Sequence, residues 1–412
     1  MRLRPISLKV SLVQGGEARS EGMPMVMIPQ EPEDVVKQFI EKISIRPEVI
    51  ELELRKAVGY RIAMDIPATN DVPSEDIAHF DGYAVRGLES CNLFKVVPEE
   101  KESLDFCEAK YVDTGSRVPD NAEAVIPLEV IEVSEQYVRV FKRFRKGFGI
   151  IPKGSDFRRG MLVIKRGESI RPVHIKILSD LGLNEVKVFK PLRISVIVTG
   201  DEYVFEGRVE SLSHIVESFI SMLRLGVIVE KTVIEDSVER ISLRFKELLA
   251  ESDVVISIGG TSVGRKDFSY KALQELNPVY AFRGIATHPG RRTSGGVVNG
   301  KPVILLPGLV QSCLTGMVFI TSPLLSEIYG SKFTLPHYKA TLLEDYECPQ
   351  FVEFKRLRFV KSVESGVKVI LGSESAHGFP LLSAEFIIIE KGISKMPSGS
   401  IVNVYCLMNY IV

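Results

Sequence analysis

Four turns in this chain set a carboxylate beside glycine at the end of an element: Phe80-Asp81-Gly82-Tyr83, Lys153-Gly154-Ser155-Asp156, Thr199-Gly200-Asp201-Glu202 and Gly259-Gly260-Thr261-Ser262-Val263-Gly264-Arg265-Lys266-Asp267. Glycine lets a ligand come close to the backbone. Carboxylates in such places can hold a hard cation whose shell is completed by water. The bland alternative for each is a plain Asp-Gly turn. The run Gly259–Gly264 offers more: backbone N–H groups and the hydroxyls of Thr261 and Ser262 can cradle an anion. It is not a P-loop, because no Gly-Lys-Ser/Thr follows. His288-Pro289-Gly290-Arg291-Arg292 is basic and turn-like, and its arginines can grip a phosphate in a forked geometry, although a solvated loop explains it as well. Leu306-Pro307-Gly308 stands between an apolar run and a helical pattern. His79 and His377 read as structural histidines, and Glu75 and Asp76 as capping or solvated acids.

Other chemistries are excluded or left without support. The five cysteines, Cys91, Cys107, Cys313, Cys348 and Cys406, form no CxxC, and the six histidines form no HxxxH. We therefore expect no disulfide framework and no histidine- or cysteine-bound metal; any metal must be held by oxygen ligands. With 52 Lys and Arg against 53 Asp and Glu, the net charge is -1, which excludes a chain-wide polycation built to coat nucleic acid. No apolar run approaches the ~20 residues of a membrane helix, and Met1–Val13 makes a poor signal peptide, so the chain reads as cytoplasmic. Only 15 residues are Asn or Gln while 25% are charged, a balance typical of thermophile proteins.

The elements that must position these turns follow from periodicity. Residues 1–26 read as a flexible extension or a mis-assigned start. From Glu31 a helical stripe runs through Val35, Val36, Phe39, Ile40 and Ile43, and a second helix is expected over Arg55–Met64. With a helix over Pro172–Leu181, begun by Pro and closed by Gly182, these form a discontinuous helical or linker domain, 27–75 and 160–191. Between them, 76–159 reads as an inserted β domain, with a hairpin over Glu129–Phe144. At Leu192 the pattern changes. Apolar runs at Ile194–Val198, Val227–Ile234, Val254–Ile258 and Val303–Leu306 alternate with helices at Ser211–Leu223, Ser237–Ala250, Ser269–Leu276 and Ser312–Tyr329. That alternation predicts a doubly wound parallel α/β domain over 192–334, whose ligands bind at the carboxyl ends of the strands. Residues 335–412 carry only short strands and a turn at Pro397–Ser400, which predicts a small β-barrel.

In order, these motifs resemble the molybdopterin molybdotransferase family (MoeA), to which the C-terminal part of gephyrin is related. Asp76–Ala84 resembles the loop that ends in Met-Asp-Gly-Tyr-Ala, Thr114–Ile126 the family's Thr-Gly-Ala-x-Val-Pro segment, and Gly154-Ser155-Asp156 its Gly-Glu-Asp turn. Ile175–Leu183 is similar to its helix ending in Leu-Gly, Val198–Glu202 to Ser-Thr-Gly-Asp-Glu, and Ile258–Phe268 to Ser-Gly-Gly-Val-Ser-Val-Gly-x-x-Asp-Tyr. The resemblance covers about residues 30–410. It implies a four-domain elongated homodimer with its site between subunits. It also implies insertion of molybdate, or tungstate, into adenylylated molybdopterin, with Mg²⁺ and release of AMP. Carried over by motif, Asp81, Asp156, Glu202, Asp236 and Asp267 are the expected catalytic carboxylates, with Asp81, Glu202 and Asp267 as metal ligands. Thr114, Gly259, Gly260, Thr261, Ser262, Gly264, His288, Arg291, Pro307, Gly308 and Arg356 are the expected substrate contacts. A molybdopterin adenylyltransferase is an implied partner.

The departures fall on the pterin side. Leu-Pro-Gly-Asn-Pro-Val-Ser becomes Leu306-Pro307-Gly308-Leu309-Val310-Gln311-Ser312, Lys/Arg-Pro-Gly-Lys-Pro becomes His288–Arg292, and Asp-Ser-Asn becomes Glu210-Ser211-Leu212. A serine pair of the last domain falls near Phe379 and Pro380. All the carboxylates remain. A non-catalytic molybdopterin-binding scaffold or a specialised paralogue is therefore the alternative to the enzyme, and a molybdopterin adenylyltransferase a weaker one.

Overall fold

A computed structural model describes residues 28–261, 267–370 and 385–406. Ser262, Gly264, His377, Phe379 and Pro380 lie outside the described residues, as does the 1–26 extension.

The first helix, Pro32–Lys42, starts with Pro in its first turn and carries Glu33 and Asp34 against the positive end of its dipole. Its buried face is Val35, Val36 and Phe39. Phe39 meets Tyr280 and Phe282 edge-on, at 5.4 and 5.6 Å between ring centroids. The helix therefore joins the core of the central sheet and not the linker core with which the sequence grouped it. The linker core is Leu54, Ala57, Ile62, Ile66, Ile164, Ile170, Leu178, Val186 and Val188. The second helix is far shorter than expected: only Leu54–Ala57 coils. Gly59 then takes a φ of +87°, and Arg61–Ile62 leaves as a strand paired antiparallel with Glu185–Phe189. Cross-strand burial of Ile62 outweighs the helical spacing of 55–64.

The inserted region is a six-stranded sheet in the order Ala124–Pro127, Gly82–Val85, Glu108–Val112, Leu93–Val96, Tyr137–Val140, Ile131–Val133. The last two form the expected hairpin. Leu93–Val96 and Glu108–Val112 run parallel, with Lys95 opposite Glu108. That pairing brings Cys91 and Cys107 to 5.8 Å between Cα atoms, where they form a disulfide. The cysteine spacing had read as unpaired; a parallel pairing between segments this short leaves no local signal.

The central sheet has the order Val227–Ile234, Arg193–Thr199, Val254–Ile258, Lys301–Leu306, Ser294–Val298, Tyr280–Arg283. The first four strands are parallel, as expected; the inner three are largely buried, while the edge strand Val227–Ile234 alternates exposed and half-buried residues. The last two add antiparallel pairings, so the sheet is mixed where an all-parallel one was read. Gly295 and Gly296 explain the miss. A Cβ there would sit 2.6 Å from the carbonyl oxygens of Val303 and Tyr280, so the strand lacks the apolar side chains that announce one. The closing helix is continuous in direction but divides into Val310–Gly316, a π turn at Met317–Thr321, and Ser322–Ile328.

The last region is a curled sheet ordered Thr287–His288, Lys355–Val363, Glu385–Ile389, Ile401–Cys406, His337–Thr341, with Gly366–Val369 on the far side of Lys355–Val363. A bridge from Leu342 to Val367 brings its two sides together around Tyr346, Val360, Ile387, Ile389 and Val404. Among the described residues, no helix is long and apolar enough to cross a membrane.

Candidate functional site

Four parallel strands end at one edge of the central sheet; three pass straight into turns singled out above, and the fourth, Val227–Ile234, leads to Asp236. The turns are tied to one another by backbone N–H groups. Gly200 N–H donates to Ile234 O (3.1 Å), Asp236 N–H to Asp201 Oδ1 (3.0 Å), and Gly259 N–H to Leu306 O (3.0 Å). Gly259 and Gly260 have φ of +92° and +60°. A Cβ on Gly259 would lie 2.5 Å from Thr199 O, and one on Gly260 2.4 Å from Ser269 Oγ. Only glycine allows the two strand ends to pass this closely.

The other wall comes from the strand Thr287–His288 and the turn Pro289–Arg292. His288 stacks on Phe351, 3.9 Å between ring centroids. Arg358 Nη1 donates to His288 O (3.1 Å), and Arg291 lies over the Phe354 ring at 5.0 Å. The last domain thus braces the basic turn from behind.

Between these walls lies a cleft of about 690 Å³, well within the range of small-molecule sites. Nine of the expected residues line it: Glu202, Asp236, Gly259, Gly260, Thr261, His288, Arg291, Pro307 and Gly308. The charged residues that line it are Glu202, Asp236, Arg291 and Arg292, so acidic and basic groups share one cleft. The cleft can therefore hold an anion beside a cation. Sequence reasoning missed Tyr203 and Phe351 as lining residues. Tyr203 follows Glu202 directly and was within reach; Phe351 belongs to a distant segment and carries no local signal.

The His288 imidazole is pushed down to about 4 from 6.5, by burial first and then by Arg358, Arg356 and Arg291. It is neutral in the folded cleft at neutral pH, so it can accept as well as donate. The unfolded chain takes up this proton first as the pH falls. The stability it contributes is complete above about pH 6.5 and is lost progressively toward pH 4. Melting temperatures measured from pH 7 to 4 should fall less steeply for His288→Gln than for the wild type; parallel curves would remove His288 as the cause.

The remaining predicted residues lie elsewhere in the chain. Asp81 is exposed on the inserted sheet, and its Oδ1 accepts from Thr114 Oγ1 and Thr114 N–H, both at 2.7 Å. The hydroxyl first, then the amide, holds its carboxyl below the usual carboxylate range. Asp156 sits in the expected turn, with its N–H bonded to Val72 O at 3.0 Å. None of the three lines the cleft. Asp76 and Glu75 have structural partners, Lys153 N–H at 2.7 Å and Arg117 at 3.1 Å.

Asp267 is buried and paired with Arg283, which also lies over the Tyr270 ring at 5.2 Å. Burial raises the Asp267 carboxyl above its usual value against the pull of Arg283 and Lys271. Among the described residues no three His, Cys, Asp or Glu side chains cluster as a metal site, so Asp81, Glu202 and Asp267 are not brought together within one chain. Arg356 is wholly buried; Nη1 donates to Cys348 O (3.0 Å) and Nη2 to Ile393 O. That geometry holds two loops of the last domain together and offers the cleft no contact. Arg356→Ala should cost about 3 kcal/mol or more, from two stranded carbonyls and a cavity. Urea denaturation would check this; a loss below about 1 kcal/mol would deny Arg356 that role.

Comparison with known proteins agrees with this architecture. The family described as the MoeA N-terminal region (domain I and II) matches residues 30–182, and the one described as a probable molybdopterin binding domain matches 195–327. A putative molybdopterin biosynthesis protein of Methanocaldococcus jannaschii is 26% identical over 395 residues, 90% of this chain and 96% of that protein. A molybdopterin molybdenumtransferase of Staphylococcus aureus is 29% identical over 347 residues, 79% of this chain and 82% of that one. Among solved structures, a molybdopterin biosynthesis MoeA protein from Pyrococcus horikoshii superposes with a TM-score of 0.67 at 28% identity, covering 93% of this chain and 100% of its own. A second from that organism gives a TM-score of 0.71 at 22% identity, covering 92% and 100%, and supports the fold.

Proposed function

The chain belongs to the MoeA family, and from that premise we propose that it is a molybdopterin molybdenumtransferase of molybdenum cofactor biosynthesis. In this reading it transfers molybdate, or tungstate, onto adenylylated molybdopterin and releases AMP. The observation that carries the reading is the cleft itself, where a glycine turn, an arginine turn and two carboxylates converge at the carboxyl ends of the strands. Both substrates are anions, and the bond broken is a phosphoanhydride. The N–H groups of Gly260 and Thr261 and the guanidinium of Arg291 hold phosphate and pterin oxygens. Neutral His288, braced by Arg358, orients the organic part.

Glu202 and Asp236 face the same cleft and offer oxygen donors of the kind Mg²⁺ takes, with water and phosphate filling its remaining positions. When bound, such an ion neutralises charge on the phosphate oxygens. Asp267 acts through Arg283 and sets the foot of the glycine turn. Asp81, Thr114 and Asp156 reach the cleft from a second copy of the chain, which makes the active species a homodimer with a shared site.

The alternative is a scaffold that binds the pterin without turnover. It is favoured by Leu309, 70% exposed on the cleft where the family carries Asn. Incubating the protein with adenylylated molybdopterin, Mg²⁺ and either oxyanion decides between them. Oxyanion-dependent AMP is expected, and the faster oxyanion names the metal. Glu202→Gln should slow its release by about 100-fold or more, given the several kcal/mol that charge stabilisation contributes in such sites. Pterin binding with no AMP would place the chain with the scaffolds.

A further inference from the structure

A second cavity, about 660 Å³, opens between the linker core and the end of the central domain. Its charged lining is Arg61, Lys165, Arg166, Arg171 and Lys332 against a single carboxylate, Glu168. The chain as a whole has a net charge of -1, so this excess is a local arrangement and not general basicity.

Arg61 forms the fixed floor. It donates to Gly167 O (2.7 Å), Leu223 O (3.0 Å), Arg224 O (3.0 Å) and Ser331 Oγ (3.0 Å), and lies over the Tyr329 ring at 5.3 Å. The other four cations are exposed. Arg166 leans on the Phe189 ring at 5.1 Å. Arg171 lies beside the His174 ring, with Nη2 at 3.3 Å from Nε2, while His174 Nδ1 accepts from the Arg171 backbone N–H (3.2 Å). Both guanidinium groups are thus held by rings, which leaves their N–H forks for a ligand.

Several exposed cations elsewhere are paired, Arg117 with Glu75 and Asp120, Lys231 with Glu217, Arg240 with Glu235; what sets this cavity apart is that five cations line one hollow with a single carboxylate. Among the described residues, Lys165, Arg166, Arg171 and Lys332 pair with no carboxylate. Their mutual repulsion around one cavity raises the local potential, and an anion relieves it. Ser169 and Thr334 line the same walls and can supply neutral donors, while the Ser331 hydroxyl is engaged by Arg61 and Ser326 O.

We propose that this cavity is a second anion site, which takes a compact polyphosphate: the inorganic pyrophosphate ion or the polyphosphate tail of a nucleotide. A single carboxylate or monophosphate would leave most of the four cations unmatched. The site joins two bodies of the chain, since Lys165 to Arg171 precede the helix Pro172–Asp180 and Lys332 follows Ser322–Ile328. Its occupant therefore ties the linker core to the central domain. The inference does not depend on the reaction proposed for the cleft.

Titration calorimetry on the full-length chain tests it, with inorganic pyrophosphate, ATP and AMP as probes. The triple variant Lys165→Ala/Arg171→Ala/Lys332→Ala alters only exposed side chains, and Arg291→Ala serves as the cleft control. Pyrophosphate affinity should fall roughly tenfold or more in the triple variant and stay within about twofold in Arg291→Ala, as the loss of charge-assisted contacts requires. Pyrophosphate should also raise the melting temperature of the wild type and not of the triple variant. ATP matching pyrophosphate, with AMP much weaker, identifies a nucleotide tail; pyrophosphate without ATP identifies the free ion. Unchanged affinity in the triple variant, or a loss confined to Arg291→Ala, overturns the proposal. Tighter binding of an oligonucleotide than of pyrophosphate through these same residues overturns it too, and makes the patch a nucleic-acid surface.

Discussion

Chains carrying Asp81→Asn, mixed with chains carrying Glu202→Gln, should regain about a quarter of wild-type activity although neither variant alone is active. The argument is geometric. Asp81 and Thr114 sit on the inserted sheet, and Glu202 lines the cleft of the central domain. Within one chain the two do not share a site: Asp81 is absent from the cleft wall, and among the described residues no three potential ligands cluster. If the inserted sheet of one copy completes the cleft of the other, random pairing yields about half heterodimers. Each of these has one intact site and one doubly altered site, which sets the expected recovery at about a quarter. Both substitutions are suited to the test because both residues lie at the surface of a single chain and neither supports a core. The readout is oxyanion-dependent AMP release after subunit exchange, with differently tagged chains to verify that exchange took place. Exchange without recovery would place the whole site in one chain, and the proposed sharing would be wrong.

The second large effect is expected at Gly259. Gly259→Ala should cost about 3 kcal/mol of stability and abolish activity in whatever fraction remains folded. Two independent penalties add. The backbone sits at a φ of +92°, which alanine rarely adopts, and the new methyl would stand 2.5 Å from Thr199 O. Neither neighbour can move, because Gly259 N–H is bonded to Leu306 O and Thr199 ends a fully paired central strand. Gly308→Ala is the matched control. Its Cβ would meet nothing nearer than Gly259 Cα at 3.7 Å, so it should be nearly neutral in stability. Thermal denaturation of the two variants side by side checks this. Equal stability of both would mean that the turn is far more yielding than its packing implies.

The family resemblance was legible because its motifs are turns. A turn that needs glycine at a positive φ, or a carboxylate at a strand end, constrains the identities of a few consecutive residues, and those constraints survive as readable words. Gly259-Gly260, Leu306-Pro307-Gly308 and Thr199-Gly200 were all found this way, and the structure brings them to one cleft. The parallel strands were equally plain, since burial on both faces forces long apolar runs such as Ile194–Val198.

What failed to show in the sequence was pairing between segments. The strand at Ser294–Val298 is hidden because close packing demanded glycine where a strand usually advertises itself with bulk. The disulfide between Cys91 and Cys107 depends on a parallel register set by the whole inserted sheet. Arg356 is expected as a ligand contact because it matches a basic position of the family's last domain, and such a match reads the same whether the cation faces a ligand or a pair of buried carbonyls; burial assigns it the second role. By itself, then, the sequence determined the local turns, the family and the alternating strands and helices, because each is a property of neighbouring residues. Which carboxylates meet in one cleft, which one is spent on Arg283, and where unpaired cations gather were decided by tertiary structure alone, because charge and burial act through space and leave no trace in residue order.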